Sequence, residues 1–399
     1  MNNSDWITRG EAVFAGTYSR FPAAIVRGEG CRLWDADGKE YLDFLSGIAV
    51  CSLGHCHPAV TEAVCTQAKK LLHVSNLFYT EPQTELAELL TQYSFAERVF
   101  MCNSGAEANE AAIKLARIYS SSAGRYEVIS LSGSFHGRTL ATVAATGQPK
   151  FHKGFEPLPS GFVHAGFGEP EAIEKLINDK TCAVLCEPLQ GESGVRPLSG
   201  EYLQAIRSLC DRHGLLLIFD EVQTGIGRTG SLFAYEQCGV VPDIMTLAKA
   251  LANGLPIGAM LTRTKIAAAF TPGTHASTFG GNPVAAAAGV AVLKTMLAEG
   301  FFADVQERST YFIQRLEEIA QKFPLFCSGV RGRGMLLGVV LTDHGIAQGT
   351  AIVQRMFERG ILMNFAGMQA LRFIPPLIVS KEEINRVIEE LGQVLAELG

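Results

Sequence analysis

LLLIFDEVQTGIGRTG, Leu215–Gly230, joins a strand-length apolar run to two adjacent carboxylates and a glycine-spaced tail. Three chemistries compete for it. An apolar strand ending in Asp220-Glu221 is the form that presents a Mg²⁺-binding carboxylate in nucleotide hydrolases, and GIGRTG has the glycine spacing of a dinucleotide fold. In the third, a buried carboxylate at a strand end holds the protonated ring nitrogen of a cofactor. A hydrolase also needs a GxxxxGK[ST] cradle, because backbone amides and a lysine must hold the phosphates that Mg²⁺ bridges. The only Gly-Lys pair is Gly38-Lys39, followed by Glu40. A dinucleotide fingerprint starts at the strand end and opens a helix onto a pyrophosphate. Here Asp220–Thr224 intervene, and a carboxylate would meet the pyrophosphate with the wrong sign. Gly225, Gly227 and Gly230 therefore read as a flexible loop.

The third reading needs a lysine and an anion cup. Lys249 ends the next apolar run, Asp243–Lys249, among small residues. A poorly solvated amine there has a lowered pKa and can form a Schiff base with an aldehyde. Pyridoxal 5'-phosphate requires such a lysine, an acid facing its pyridine nitrogen, and a site for its phosphate. Asn103–Asn109 can supply that site: a glycine-bearing turn opening a helix aims free amides and the positive dipole end at a dianion. Ser104 also reads as an ordinary N-cap, with Glu107 completing a capping box.

The totals narrow the partners. At 399 residues, with 47% hydrophobic and 19% charged residues, the chain can bury a large core in two domains, or in a large one and a small one. A net charge of −6 leaves no basic excess for nucleic acid, so small molecules are the expected partners. Ten cysteines, scattered singly without a CxxC pair, read as reduced thiols of a cytoplasmic protein. MNNSDWITRGEAVF has no signal-peptide pattern, and no apolar run is long enough for a membrane span.

Pattern changes divide the chain into an N-terminal arm (1–57), a large domain (58–290) and a small C-terminal domain (291–399). The arm carries short strands at Cys31–Trp34 and Glu40–Phe44 around a turn. In the large domain, VFMCN, EVISL, CAVLC, LLLIF and IMTL each run into a polar cluster and a helical pattern. This predicts an α/β fold with a mostly parallel sheet flanked by helices, and one shared site beyond the strand ends. The last part reads as α+β: a strand near Gly334–Leu341, strands around Ile361–Val379, and a final helix opened by Ser380 and Glu383.

Other residues have structural readings. Cys51, His55, Cys56 and His57 crowd together without a standard zinc spacing, and with Pro58 closing a turn they read as a structural loop. His136 reads as structural, Cys182 and Cys186 as core thiols sharing one strand face, and Arg331 and Arg333 as loop charges.

NSGAEANEAAIKLAR, FHGRT, EPLQGE, DEVQTGIGRTG, LAKALANGLPIGAM and GTHASTFGGNP occur in this order, behind the arm YSRFPAAIVRGEGCRLWDADGKEYLDFLSGIAV. Over almost its whole length the chain resembles the class III pyridoxal-phosphate aminotransferases, most closely those acting on N²-acetylornithine. The resemblance implies fold type I and a homodimer with active sites at the subunit interface. It makes Lys249 the Schiff-base lysine and Asp220 the partner of the pyridine nitrogen, with Val222 and Gln223 against the ring and its phenolic oxygen. Ser104, Gly105 and Ala106 would form the phosphate cup, Phe135 would stack on the ring, and Thr278 would reach the phosphate from the partner subunit. For substrate it implies Arg138 and Arg372 as carboxylate binders, Glu192 as the glutamate neutralising the second arginine when the donor is bound, and Tyr18 and Ser277 as further contacts. The implied reaction passes the donor's terminal amine to 2-oxoglutarate, in arginine biosynthesis. Ornithine, succinylornithine, carrier-bound lysine and 4-aminobutyrate remain alternative donors. One departure is AGFGEPEAIEK after Val163-His164, where relatives often carry Asn-Asp.

Overall fold

Seven short apolar segments form the central sheet: β1 (Arg98–Cys102), β2 (Glu127–Leu131), β3 (Phe162–Ala165), β4 (Thr181–Cys186), β5 (Leu216–Asp220), β6 (Ile244–Leu247) and β7 (Gly258–Thr262). The computed structural model describes all of residues 1–399. The strand order is β1-β7-β6-β5-β4-β2-β3, and only β7 runs antiparallel to its neighbours. Every residue of β4 and β5 is buried, which is why both read as unbroken apolar runs rather than alternating ones. Parallel strands deliver their C-terminal ends to one edge, and the clusters after Cys102, Leu131, Cys186, Asp220 and Leu247 meet there.

The N-terminal strands Ile25–Glu29, Arg32–Asp35 and Glu40–Asp43 form an antiparallel sheet, which Ile361–Leu362 extends by pairing parallel to Glu40–Asp43. The arm thus borrows a strand from the far end of the chain. Another sheet joins Cys327–Arg333, Leu336–Leu341, Ala370–Phe373 and Asn364–Ala366. The last helix, Lys381–Leu398, has the expected reciprocal cap between Ser380 and Glu383 and buries Ile384, Val387, Ile388, Leu391, Val394 and Leu395. A helix at Asn3–Val13, capped by Asn2 and Asp5, was not legible as an amphipathic pattern and buries none of its residues.

GIGRTG is a buried turn, not a flexible loop: Arg228 is fully buried and donates to the carbonyls of Met335 (3.2 Å) and Pro375 (2.5 Å) and to Ser52 Oγ (2.9 Å). Its glycines accept the close approach of the C-terminal segment, since a Cβ on Gly227, where φ is +84°, would lie 2.8 Å from Leu377 Cδ1. Pro58 opens the helix Pro58–Lys70 at a position where no N–H is needed, rather than closing a turn. Arg331 and Arg333 lie in a strand and clasp the carbonyls of Gly194 (2.6 Å) and Leu198 (3.1 Å). Cys182 and Cys186 are both buried but pack in different clusters, Cys182 with Ala183 and Leu185, Cys186 with Val184. A bulge causes this: Glu127 pairs with Thr181 but Val128 with Ala183, so the alternation expected across Cys182 is broken.

Candidate active site

Beyond the strand ends lies a cavity of about 350 Å³. Asp220 ends β5 inside it, 4% exposed. Its Oδ1 accepts from the Val222 amide (3.0 Å), and its Oδ2 from Asn109 Nδ2 (2.8 Å) and His136 Nδ1 (2.8 Å). A carboxylate can only accept, so His136 carries its proton on Nδ1. Asn109, in the helix Gly105–Tyr119, also donates to the His136 carbonyl (2.8 Å) and accepts from Thr246 Oγ1 on β6 (2.7 Å). His136 is therefore more than a packing residue: with Asn109 it fixes the orientation of Asp220.

Lys249 follows β6 after Ala248 and takes φ +44°, a left-handed conformation that costs a non-glycine residue about 1–3 kcal/mol. The turn after it is held by Asn253, which accepts from the Leu53 amide (2.8 Å) and donates to the Gly54 carbonyl (2.9 Å). Burial lowers the Lys249 pKa, and the Arg372 charge adds to this, against the opposing pull of Glu192, Asp220 and Glu187. A larger fraction of the amine is thereby neutral and able to attack a carbonyl or take a proton.

At the start of the helix Gly105–Tyr119, Ser104 Oγ accepts from the Glu107 amide (3.2 Å). The expected capping box does not form, because Glu107 turns to the amide (2.8 Å) and side chain (2.9 Å) of Asn103. The amides of the first turn have no partner within the helix. Two of their residues, Gly105 and Ala106, line the cavity. A Cβ on Gly105 would stand 2.6 Å from Val222 Cγ1, so only glycine lets the helix start approach the turn after β5 this closely.

Arg372, fully buried, is paired with Glu192 at 2.7 Å. Against burial, which pushes the Glu192 carboxyl up, the Arg372 guanidinium holds it below the usual carboxylate range. Gln223 Oε1 lies 3.5 Å from Arg372, while its buried Nε2 has no partner. Glu187, which the sequence reading passed over although it opens EPLQGE, lines the cavity and accepts from the Phe135 amide (3.0 Å). Burial, reinforced by the negative charge of Asp220, pushes its carboxyl well above the ordinary value.

The structure thus gathers Lys249, Asp220, Ser104, Gly105, Ala106, Phe135, Val222, Gln223 and Glu192 around one cavity, with Arg372 behind Glu192. Ser277 stands beside it, accepting from Asn103 Nδ2 at 3.2 Å. Arg138 follows the cavity-lining Gly137 and is exposed. Tyr18 and Thr278 are not brought in: Tyr18 is 74% exposed among Trp6, Phe14 and Arg20, and Thr278 lies beside His73, Asn76 and Gln83. Among Cys51, His55, Cys56 and His57, His55 Nε2 binds Asp43 (2.7 Å), and no three ligand-type side chains gather for a metal.

These groups fit pyridoxal phosphate in chemistry. The buried amine suits its aldehyde, the carboxylate its ring nitrogen, and the unpartnered helix-start amides its phosphate. The orphaned Gln223 Nε2 is a donor waiting for an acceptor in the cavity.

The family model described as aminotransferase class III matches residues 13–395. The chain is similar to acetylornithine aminotransferase of Caldanaerobacter subterraneus subsp. tengcongensis, 48% identical over 395 residues (98% of this chain, 99% of that one). It is likewise similar to that of Myxococcus xanthus, 52% identical over 372 residues (92% of each). Among solved structures, ornithine aminotransferase from Toxoplasma gondii ME49 superposes with a TM-score of 0.94 at 32% identity, covering 100% of this chain and 96% of that one. Acetylornithine aminotransferase from Elizabethkingia anophelis does so with 0.88 at 31%, covering 100% of both.

Proposed function

Because the chain belongs to the class III aminotransferases, we propose that it moves the terminal amino group of N²-acetyl-L-ornithine to 2-oxoglutarate, giving N-acetyl-L-glutamate 5-semialdehyde and L-glutamate. The observation that carries the reading is one cavity lined by a desolvated Lys249, the oriented carboxylate of Asp220, and Glu192 with Arg372 paired behind it. Similarity to acetylornithine aminotransferases over nearly the whole chain supports this donor and a place in arginine biosynthesis.

Pyridoxal phosphate, when bound, supplies an aldehyde for the amino group and a protonated ring that accepts the electron pair left at the substrate carbon. Asp220 keeps the ring-nitrogen proton in place, its own orientation set by Asn109 and His136. Lys249 Nζ, its pKa lowered by burial, would act as the base that moves the proton at the substrate carbon. Ser104, Gly105 and Ala106 would hold the phosphate at the helix start and Val222, Gln223 and Phe135 the ring, with Ser277 beside the cup through its contact with Asn103. Arg372 and Arg138 bind carboxylates through bidentate forks. Glu192 covers Arg372 while the amino donor is bound, and leaves it when 2-oxoglutarate brings its own carboxylate.

The active form is read as a homodimer. Leu77, Phe78, Tyr79 and Phe279 are 86%, 65%, 99% and 59% exposed, an apolar surface that a single copy leaves in water. The displaced positions of Tyr18 and Thr278 agree with a site completed by a second copy. Mixing Lys249→Ala with Thr278→Ala protein should then restore part of the activity that each lacks. We read the chain as an arm (1–57), a large domain (58–290) and a small domain (291–399), a division crossed by Ile361–Leu362 in the arm's sheet and by the helix Pro283–Met296. Ten unbridged cysteines support a cytoplasmic setting, and no single helix is long and apolar enough to cross a membrane.

The donor is tested by comparing kcat/KM for acetylornithine, ornithine, succinylornithine and 4-aminobutyrate with 2-oxoglutarate as acceptor. Acetylornithine should lead, and a clear preference for plain ornithine would overturn the assignment.

A further inference from the structure

Arg138 stands at the cavity rim without a carboxylate. It is exposed, and it makes neither an ion pair nor a hydrogen bond. Its only fixed partners are aromatic: the guanidinium carbon lies 4.0 Å from the centre of the Phe151 ring and 5.2 Å from that of Phe135. Phe151 closes the turn Pro149–Phe151 and meets Phe135 edge to face, with centroids 5.6 Å apart and planes at 79°. Lys150 places a second cation 4.8 Å from the same ring. An ion pair would consume the guanidinium's in-plane donors, whereas stacking on a ring engages its face and leaves the N–H fork open.

We propose that Phe151 is a positioning residue that acts through Arg138, holding its guanidinium at the rim with the donor edge free for a substrate carboxylate. This rests on the reading of Arg138 as a carboxylate binder. A flexible side chain held in advance loses less freedom when the ligand arrives, so Phe151 strengthens carboxylate binding without touching the reacting atoms. Lys150 adds positive charge at the same rim, where no acid is paired to it.

The test uses the holoenzyme with glutarate, an unreactive dicarboxylate of the acceptor's size, its Kd measured by calorimetry, alongside steady-state kinetics. Phe151→Leu, which keeps bulk but removes the π face, should raise the glutarate Kd and the KM of both substrates by about 3- to 5-fold, with kcat within about twofold. Phe151→Tyr, which keeps the π face, should match the wild type, and Phe151→Leu should add nothing to Arg138→Ala, because the two act as one unit. If Arg138→Ala weakens glutarate binding and Phe151→Leu does not, the proposal fails while the carboxylate role of Arg138 stands. If Arg138→Ala itself leaves binding unchanged, that role fails and takes the proposal with it. Equal losses in the Leu and Tyr variants would make Phe151 a loop anchor and overturn the inference.

Discussion

Glu192→Gln separates the two halves of the reaction. Arg372 has no exposed surface, and its one carboxylate partner is Glu192 at 2.7 Å. With an effective dielectric constant of about 20, two unit charges at that distance attract by about 6 kcal/mol. The Glu192 side chain is 35% exposed, so screening and its own desolvation reduce the net value to about 1–2 kcal/mol. That is roughly 5- to 30-fold in an equilibrium constant. Glutamine keeps an acceptor oxygen but loses the charge that competes with 2-oxoglutarate. In single-turnover stopped-flow absorbance, the acceptor half-reaction should therefore saturate at about 5- to 30-fold lower 2-oxoglutarate. The donor half-reaction should lose kcat/KM by a similar factor, because Arg372 then faces the donor uncompensated. Glu192 also raises the Lys249 pKa, so the limb of the rate profile belonging to the lysine should move to lower pH. Changes in the same direction in both halves, or below twofold in each, would refute the reasoning.

Gly105→Ala drives a Cβ to 2.6 Å from Val222 Cγ1, an overpacking that costs about 1–3 kcal/mol; Tm should fall and fluorescence titration of the apoenzyme should show weaker cofactor binding, while wild-type retention would contradict it. Asp220→Ala removes the charge expected to hold the ring-nitrogen proton, and since one nearby charge shifts a pKa by about 1–3 units, kcat should drop by about 10- to 1,000-fold with little change in KM. The His55 pKa is raised to about 10: burial lowers it, but the Asp43 carboxylate and the Cys51 thiol overcome this. The folded value lies above the unfolded one near 6.5, so the stabilisation is complete below pH 6.5 and disappears as pH rises through 10. Urea unfolding of Asp43→Asn, which keeps an acceptor for the Leu45 and Ser46 amides, should show a deficit of about 1–3 kcal/mol at pH 6 that shrinks towards pH 10; a deficit independent of pH would count against the His55–Asp43 pair.

What the sequence disclosed follows from how each feature is encoded. β4 and β5 are buried on both faces and stand out as unbroken apolar runs, so the residues ending them, Asp220 among them, could be found directly. Lys249 was legible for the same reason at the end of β6. Asn109 and His136 were not legible as partners of Asp220, since they lie 111 and 84 residues away and meet it only once the helix and the loop after β2 fold onto β5. Glu187 stood in a quoted motif, but its contact with the Phe135 amide across 52 residues has no local signal. Glycine spacing in GIGRTG suggested freedom, whereas the fold uses those glycines for close approach around a buried Arg228. The bulge at Cys182 defeats period-two reasoning because one inserted residue moves a side chain to the other face. Tyr18 and Thr278 lie outside the cavity of their own chain; Thr278 was expected there only from the partner subunit, through the family resemblance, and Tyr18 carries no local signal that fixes its place.

Lys249, desolvated and lining the same cavity as Asp220, is proposed as the covalent anchor of the cofactor. Borohydride treatment of the purified holoenzyme followed by peptide mass spectrometry tests it most directly. The visible absorption band should be lost and the reduced cofactor's mass should appear on the peptide containing Lys249, and not on Lys249→Ala protein. An unmodified Lys249 in wild-type protein, or the cofactor's mass on another lysine, would contradict it.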